Sequence, residues 1–412
     1  MSHIHIIIHY DEITLKGKNR PFFERALMNN IEELLKRIKH RKVYKELGKF
    51  IIDIDEQIYN PSQSSAERLR QGESKTETQK IKEILKNIPG ISNFTLAVSC
   101  EKDIEKIKEK TVEFVKSSQF SIEKRGECRT FKIEARRGDK KFKLKSPEIN
   151  CKVGGCVLEN TDLQVDVHNP DLEIVVDVGN KNCFIYAERI KGIGGLPTGT
   201  AGKLVSLISG GIDSPVASFM MMRRGAKIVF IHFKNKTVSS SAGDQKIEKL
   251  VKILSRFQGK SKLYVVPFEE FQKEIIAKIP AKNRMIIYRR MMFKLSEIIA
   301  KKENAKGFVT GDSLSQVASQ TIDNINAIYK AANLPIFPPL IGINKQETIN
   351  LAKQINTYET SIIPYQDCCS FLIAKHPETR AKLDEIIKQD KNLEIDEITE
   401  KIMSKIRPLA IR

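Results

Sequence analysis

No stretch of the 412 residues approaches the roughly 20 consecutive apolar positions a bilayer span requires, which argues against a membrane-spanning helix. The amino terminus, MSHIHIIIHYDE, lacks the basic n-region of a secretory signal and turns acidic at Asp11 and Glu12, so it reads as a first strand. No CxxC pair occurs among the seven cysteines, leaving a zinc ribbon or a thioredoxin-like site without local support. Their odd number and irregular spacing argue against a disulfide framework and for a reducing, cytoplasmic compartment. Acidic residues are scarce relative to basic ones, 51 against 70, for a formal net charge of +19. Such an excess favours a polyanionic partner, nucleic acid before an anionic membrane surface. With 41% hydrophobic residues the chain is globular, and its length calls for two or three domains.

The pattern up to residue 55 is strand, helix, strand: IHIIIHY, then PFFERALMNNIEELLKRI with apolar residues at helical spacing, then KFIIDID. The tract PSQSSAERLRQGESKTETQ has no hydrophobic face and reads as a linker or insertion. From Lys80 the order is helix, strand, helix, strand, a helix from Ser146 to Leu158, and two strands, DLEIVVDV and CFIYAERI. KGIGGLPTGTAGK, rich in Gly, Thr and Pro, marks a domain boundary. Beyond it buried strands alternate with helices. That order implies a parallel sheet with ligand sites at the carboxyl ends of its strands.

The segment LVSLISGGIDSPVAS carries the most information. An apolar strand runs into Ser209-Gly210-Gly211-Ile212-Asp213-Ser214, and a helix follows. Adjacent glycines allow a tight turn and close approach of the backbone to a ligand. Amides at the turn and helix start favour an anion, Ser209 and Ser214 add hydroxyls, and Asp213 is placed to hold Mg²⁺ against phosphates. GxxxxGK[ST] is absent, which excludes a Walker-type loop. The hexapeptide resembles the SGGxDS loop of the ATP pyrophosphatase superfamily, which splits ATP between the α and β phosphates. The second strand, AKIVFIHF, ends at His232-Phe233, where an adenine ring would find a stacking face and backbone groups.

Further along, TGDSLSQVASQT (Thr310 to Thr321) follows the strand KGFV. Arg289 and Arg290 lie upstream, Lys345 lies in FPPLIGINK, and Cys368 and Cys369 adjoin in YETSIIPYQDCC. Together with SGGIDSPVAS, HYDEITLKGKNR and GGLPTGT, these resemble the tRNA 4-thiouridine synthase family (tRNA sulfurtransferase, also used in thiamine thiazole synthesis) over essentially the whole chain. Tyr10-Asp11 stands where that family usually has Tyr-Gly.

The resemblance implies α+β amino-terminal ferredoxin-like and THUMP domains followed by an α/β parallel-sheet PP-loop domain. The expected divisions are 1–76, 77–190, a linker 191–203, and 204–412. It implies two steps: ATP adenylates O4 of the uridine at tRNA position eight, then a sulfur nucleophile attacks C4 and expels AMP. Mapped by motif, Ser209 to Ser214 hold the pyrophosphate moiety. Leu207, Ile208, His232 and Phe233 frame the adenosine, and Arg289, Gly311 and Gln320 also fall at nucleotide contacts. Lys345 answers charge developing during adenylation. Cys369, with Cys368 beside it, matches the sulfur-carrying cysteine, and Lys375, His376 and Arg380 are placed to lower a thiol pKa.

Too few residues follow Cys369 for the rhodanese domain of many relatives. Sulfur is therefore expected as persulfide or sulfide from a cysteine desulfurase or another donor. A sulfur carrier protein of thiamine synthesis is a further partner the family implies. An iron–sulfur site on Cys128, Cys151, Cys156 or Cys183 has weak spacing support. The oligomeric state stays open, a homodimer included. The alternatives are another PP-loop chemistry, such as lysidine or amide synthesis, or a non-catalytic tRNA-binding or sulfur-relay protein.

From Lys124 to Lys145 ten basic residues stand against three acidic ones. Arg136, Arg137, Lys140, Lys141, Lys143 and Lys145 are the expected tRNA phosphate contacts, with Lys16, Lys18 and Arg20 extending the surface.

Overall fold

The computed structural model describes residues 4–54, 76–117, 128–234, 241–364 and 374–411. The expected linker tract lies almost wholly outside them, as do Cys368 and Cys369. The chain divides into two compact units, Met1–Gly195 and Leu196–Arg412. No helix among the described residues is long and apolar enough to cross a membrane.

The amino-terminal unit is built on a sheet of nine strands among the described residues. These are β1 (Ile4–His9), β2 (Lys42–Glu46), β3 (Lys49–Ile54), β4 (Asn93–Glu101), β5 (Thr130–Arg137), β6 (Gln164–Val165), β7 (Leu172–Val178), β8 (Asn182–Tyr186) and β9 (Ile190–Lys191). They run in the order β2-β3-β1-β4-β8-β7-β5-β6, with β9 on β4. The short edge strand β2 and its hairpin with β3 were not anticipated, because KVYKE keeps only half-buried and exposed side chains. Alternation along β1 sorts Ile6 and Ile8 into one core and Ile7 into another, with Ile51, Ala97, Phe184 and Tyr186.

Helices α1 (Arg20–Leu35) and α2 (Glu77–Leu85) join the first core through Leu27, Ile31, Ile81 and Leu85. A division at 76/77 therefore assigns to the second segment a helix whose apolar face belongs to the first. Helices α3 (Ile104–Lys116) and α4 (Ser146–Asn160) cover a further core with Phe131, Ile133 and Ile174. Asp11 has φ −115° and accepts a hydrogen bond from the Glu12 amide, so this position does not need the glycine usual in the family.

The carboxy-terminal unit holds a six-stranded sheet among the described residues. Its strands are β10 (Lys203–Leu207), β11 (Lys227–Lys234), β12 (Ser261–Pro267), β13 (Phe308–Val309), β14 (Ile336–Phe337) and β15 (Leu409–Ile411), in the order β14-β13-β10-β11-β12-β15. Every pairing is parallel except that of β15 with β12. That antiparallel edge escaped the sequence pattern because β15 is three residues long and largely exposed. The helices needed below are α5 (Asp213–Arg223), α6 (Ser241–Gln258), α7 (Glu269–Lys278), α8 (Arg284–Glu303), α9 (Ile322–Tyr329) and α10 (Lys345–Gln354). Val229, Ile231 and Phe233 of β11 and Tyr288, Met291 and Phe293 of α8 share the main core. From β10 the chain first adds β11 and β12 on one side, then β13 on the other. The switch point between β10 and β13 is where open α/β sheets leave a crevice for ligands.

Candidate active site

The carboxyl ends of β10, β11 and β13 open into a cleft of about 250 Å³. Leu207, Ile208, Ser209, Asp213 and Ser214 line it after β10, His232 and Phe233 at the end of β11, and Thr310, Gly311 and Asp312 after β13. Met285, Arg289 and Met292 of α8, with Ser319 and Gln320, complete the wall. The structure thus brings together ten of the twelve expected nucleotide residues. Gly210 is buried and Gly211 exposed, within the loop but outside the wall.

The loop is held by its serines. The Ser209 amide donates to Ser214 Oγ at 2.9 Å, the two hydroxyls lie 3.1 Å apart, and the Gly211 amide reaches Ser209 Oγ at 3.3 Å. Helix α5 begins at Asp213 with no side-chain cap, leaving its first amides for an anion. Gly311 is required by space: a Cβ there would stand 2.8 Å from the Ser214 nitrogen and 2.9 Å from the Asp213 carbonyl carbon. A side chain would push the β13 loop off the helix start.

Two charge pairs occupy the cleft at different depths. Asp213 accepts from Lys345 Nζ at 2.6 Å and from Gln316 Nε2 at 3.0 Å. Lys345 is the first residue of α10, behind the Asn344 cap, so the expected helix-start lysine is aimed at the loop. Deeper in, Asp312 accepts from Arg289 at 2.6 Å, Tyr329 at 2.7 Å and Gln320 at 3.1 Å. Burial opposes its charge, yet the Arg289 guanidinium and these hydrogen bonds hold its carboxyl below the usual carboxylate range. Burial and the Asp312 charge push the Tyr329 phenol up.

His232 is buried and donates from Nδ1 to the Ile208 carbonyl at 3.0 Å, clamping the ends of β10 and β11 together. Phe233 packs on Phe268 with centroids 5.3 Å apart and floors the cleft. Arg290, next to Arg289, is buried and paired with Asp390 at 2.9 Å, a structural contact. Sequence reasoning missed Asp312, Tyr329 and Gln316. Asp312 and Gln316 sat inside the quoted TGDSLSQ, where the signal was an acidic residue three positions past the end of a buried strand.

The basic stretch separates by role. Arg136 hydrogen-bonds Glu134 at 2.8 and 2.5 Å, and Arg137 donates to the carbonyls of Lys140 and Phe142. Both expected phosphate contacts thus have intramolecular work, Arg136 as an ion pair and Arg137 as the tie of the 140–142 turn. Arg20 likewise bonds Tyr10 and Glu24, each at 2.9 Å. Lys140, Lys141, Lys143 and Lys145 are exposed, and none has an ion-pair partner among the described residues. Lys375, His376 and Arg380 lie in irregular chain ahead of the helix Leu383–Lys391.

A parallel sheet whose first strand passes through a Ser-Gly-Gly loop onto an uncapped helix, with the cleft at its switch point, defines an α/β PP-loop domain. Models of three families match along the chain: the thiamine biosynthesis protein (ThiI) at residues 199–395, the THUMP domain at 101–188, and the ThiI ferredoxin-like domain at 5–71. The probable tRNA sulfurtransferase of Thermoanaerobacter pseudethanolicus is 40% identical over 403 residues, covering 97% of this chain and 98% of its own. That of Acetivibrio thermocellus is 39% identical over 407 residues, with 98% of each chain covered. A crystal structure of a 4-thiouridine synthetase in complex with RNA and with bound ATP superposes with a TM-score of 0.86, 35% identity and full coverage of both chains. The chain belongs to the tRNA sulfurtransferase family and is an enzyme of the sulfur-transferring class.

Proposed function

We propose that the protein is an ATP-dependent tRNA sulfurtransferase that adenylates O4 of the uridine at tRNA position eight and replaces that oxygen with sulfur. The observation carrying the reading is the cleft that brings Ser209, Asp213 and Ser214 of the loop together with Arg289, with Lys345 bonded to Asp213, in a chain similar throughout to an ATP- and RNA-bound 4-thiouridine synthetase. A pyrimidine carbonyl oxygen leaves poorly, so activation precedes substitution. The uncapped amides of α5 grip phosphate, Phe233 and the His232 clamp shape the nucleoside end, and Lys345 turns from Asp213 toward charge gathering on the transferring phosphoryl group. Mg²⁺ fits one carboxylate completed by phosphate oxygens and water, and Asp213 is the residue that would hold it, displacing Lys345 or Gln316.

Cys369, with Cys368 beside it, is proposed as the persulfide carrier, taking the outer sulfur of a cysteine desulfurase persulfide while the donor cysteine leaves as a thiol; free sulfide would instead attack C4 directly. The thiamine description of the matching family supports a second outlet, a sulfur carrier protein thiocarboxylate for thiazole synthesis. The exposed lysines from Lys140 to Lys145 orient tRNA by its phosphates. A cytoplasmic location goes with that substrate.

The test is to incubate the protein with ATP, Mg²⁺, sulfide and unmodified tRNA and record the near-ultraviolet absorbance of thiolated uridine. Product requiring ATP is expected, and its absence would refute the reading. With a desulfurase as sole donor, Cys369→Ser should be inactive; full activity would remove Cys369 from the carrier role.

A further inference from the structure

Two buried polar side chains of the carboxy-terminal unit are spent on the chain that flanks Cys368 and Cys369, and neither lines the cleft. On the entry side, Lys246 of α6 is 6% exposed, and its Nζ donates to the carbonyls of Ser361 at 3.0 Å and Ile363 at 2.7 Å. On the exit side, Asn324 of α9 is fully buried. Its Nδ2 donates to the Ala318 and Glu378 carbonyls, both at 2.7 Å, and its Oδ1 accepts from the Ala381 amide at 3.1 Å. Ala318 adjoins Ser319 and Gln320 of the cleft wall, so one carboxamide joins that wall to the returning chain. The Thr321 hydroxyl adds a bond to the Thr379 carbonyl at 2.7 Å. Glu378 stiffens the same turn, one oxygen accepting from the Thr379 and Arg380 amides and the other from Lys282, each at 3.0 Å. Connecting chain is ordinarily exposed and lightly held, and desolvating an ammonium to tie down two carbonyls is costly.

We propose that Lys246 and Asn324 are positioning residues for sulfur delivery, fixing the chain on both sides of the cysteine pair to the nucleotide-binding framework. They thereby set the approach of the Cys369 persulfide to C4 of the adenylated uridine. In that step the terminal sulfur bonds C4 and AMP leaves with O4. A dithiol then reduces the Cys369–S–S–C4 bridge, freeing the Cys369 thiol and the thiolated uridine and becoming a disulfide itself. Displacement between two held groups depends steeply on alignment, and a misplacement of about 1 Å costs roughly a hundredfold. Free sulfide diffuses to C4 and needs no such alignment of the chain. Lys246 and Asn324 therefore matter for one donor and not for the other. The inference rests on the carrier role proposed for Cys369 and adds to it the residues that hold its chain in place.

The test compares thiolation of unmodified tRNA by the full chain with ATP, Mg²⁺ and dithiothreitol, driven either by a cysteine desulfurase with L-cysteine or by free sulfide. The desulfurase-driven rate of Cys369→Ser, which reports sulfide released into solution, is subtracted. Lys246→Met and Asn324→Ala should lower the carrier-dependent rate roughly ten- to hundredfold and change the sulfide-driven rate less than about twofold. Glu378→Ala, at a partly exposed position, should lower the carrier-dependent rate in the same selective way. A merely structural role would lower both rates in proportion. Proportional losses, or an unchanged carrier-dependent rate, in Lys246→Met or in Glu378→Ala overturn the assignment, whether or not Asn324→Ala folds. Full desulfurase-driven activity of Cys369→Ser defeats the carrier reading and this inference with it. A Cys369-dependent rate that ignores the tethers defeats this inference alone.

Discussion

The floor and the mouth of the cleft each carry a carboxylate paired with a cation at 2.6 Å, and there the likeness stops. At the floor Asp312 is 4% and Arg289 17% exposed, with Tyr329 and Gln320 completing the carboxylate's bonds. At the mouth Asp213 is 22% and Lys345 45% exposed, and Gln316 is the further partner. A pair shielded from water is costly to open, whereas an exposed pair gains about 0–1 kcal/mol and exchanges partners readily. The floor is therefore a preorganised frame, and the mouth is where charge can be handed to a ligand. Catalysis needs both: fixed dipoles cost no reorganisation, and a cation must be able to follow the developing charge.

The contrast breaks most visibly at Asp213. Asp213→Ala should lower thiolation by roughly 10²–10³-fold while tRNA binding, followed by filter retention, stays unchanged. An equal fall in both would make Asp213 a folding residue. Next in size is stability: Asp312→Ala removes the buried carboxylate that accepts from Arg289, Tyr329 and Gln320 and should cost about 3–5 kcal/mol in urea unfolding. Lys345→Ala should cost less than about 1 kcal/mol yet slow thiolation. Similar losses from the two would erase the distinction between floor and mouth.

The same logic sharpens the basic stretch of the other unit. Replacing Lys140, Lys141, Lys143 and Lys145 with Ala should flatten the salt dependence of tRNA affinity, each phosphate contact contributing roughly 0.7–0.9 to the slope. Arg136→Ala should leave the slope nearly unchanged, because Glu134 already balances that charge. The smallest effect is acid sensitivity of the amino-terminal unit. Burial, with Lys49 nearby, lowers the His9 pKa from 6.5 to about 4, so the folded ring stays neutral while the unfolded chain takes up a proton. Its contribution is present above pH 6.5 and lost as pH falls toward about 4. His9→Gln should remove that part of the acid slope. Asp312, also lowered, acts in the same direction at lower pH.

Long elements were legible because their periodicity is strong: the strand-loop-helix around Ser209 to Ser214 and the buried strand AKIVFIHF are where the pattern puts them. Motif mapping also named most of the cleft wall, since PP-loop chemistry places its residues at strand ends. What escaped depends on partners rather than pattern. β2 and β15 are short, exposed edges whose identity comes from pairing. Arg136 and Arg137 count as charge in a sequence, and nothing local announces that Glu134 and the 140–142 turn engage them. The role of Asp312 becomes visible only when α8 and α9 bring Arg289 and Tyr329 to it.

The central claim is that the loop and the start of α5 grip nucleotide, and Gly311 allows its most direct test. Calorimetry with ATP should show uptake of about one nucleotide per wild-type chain. Gly311→Ala, whose new Cβ would stand 2.8 Å from the Ser214 nitrogen, should lose most of that uptake while keeping its tRNA affinity. No ATP uptake by the wild type, or uptake unchanged in Gly311→Ala, would contradict the account.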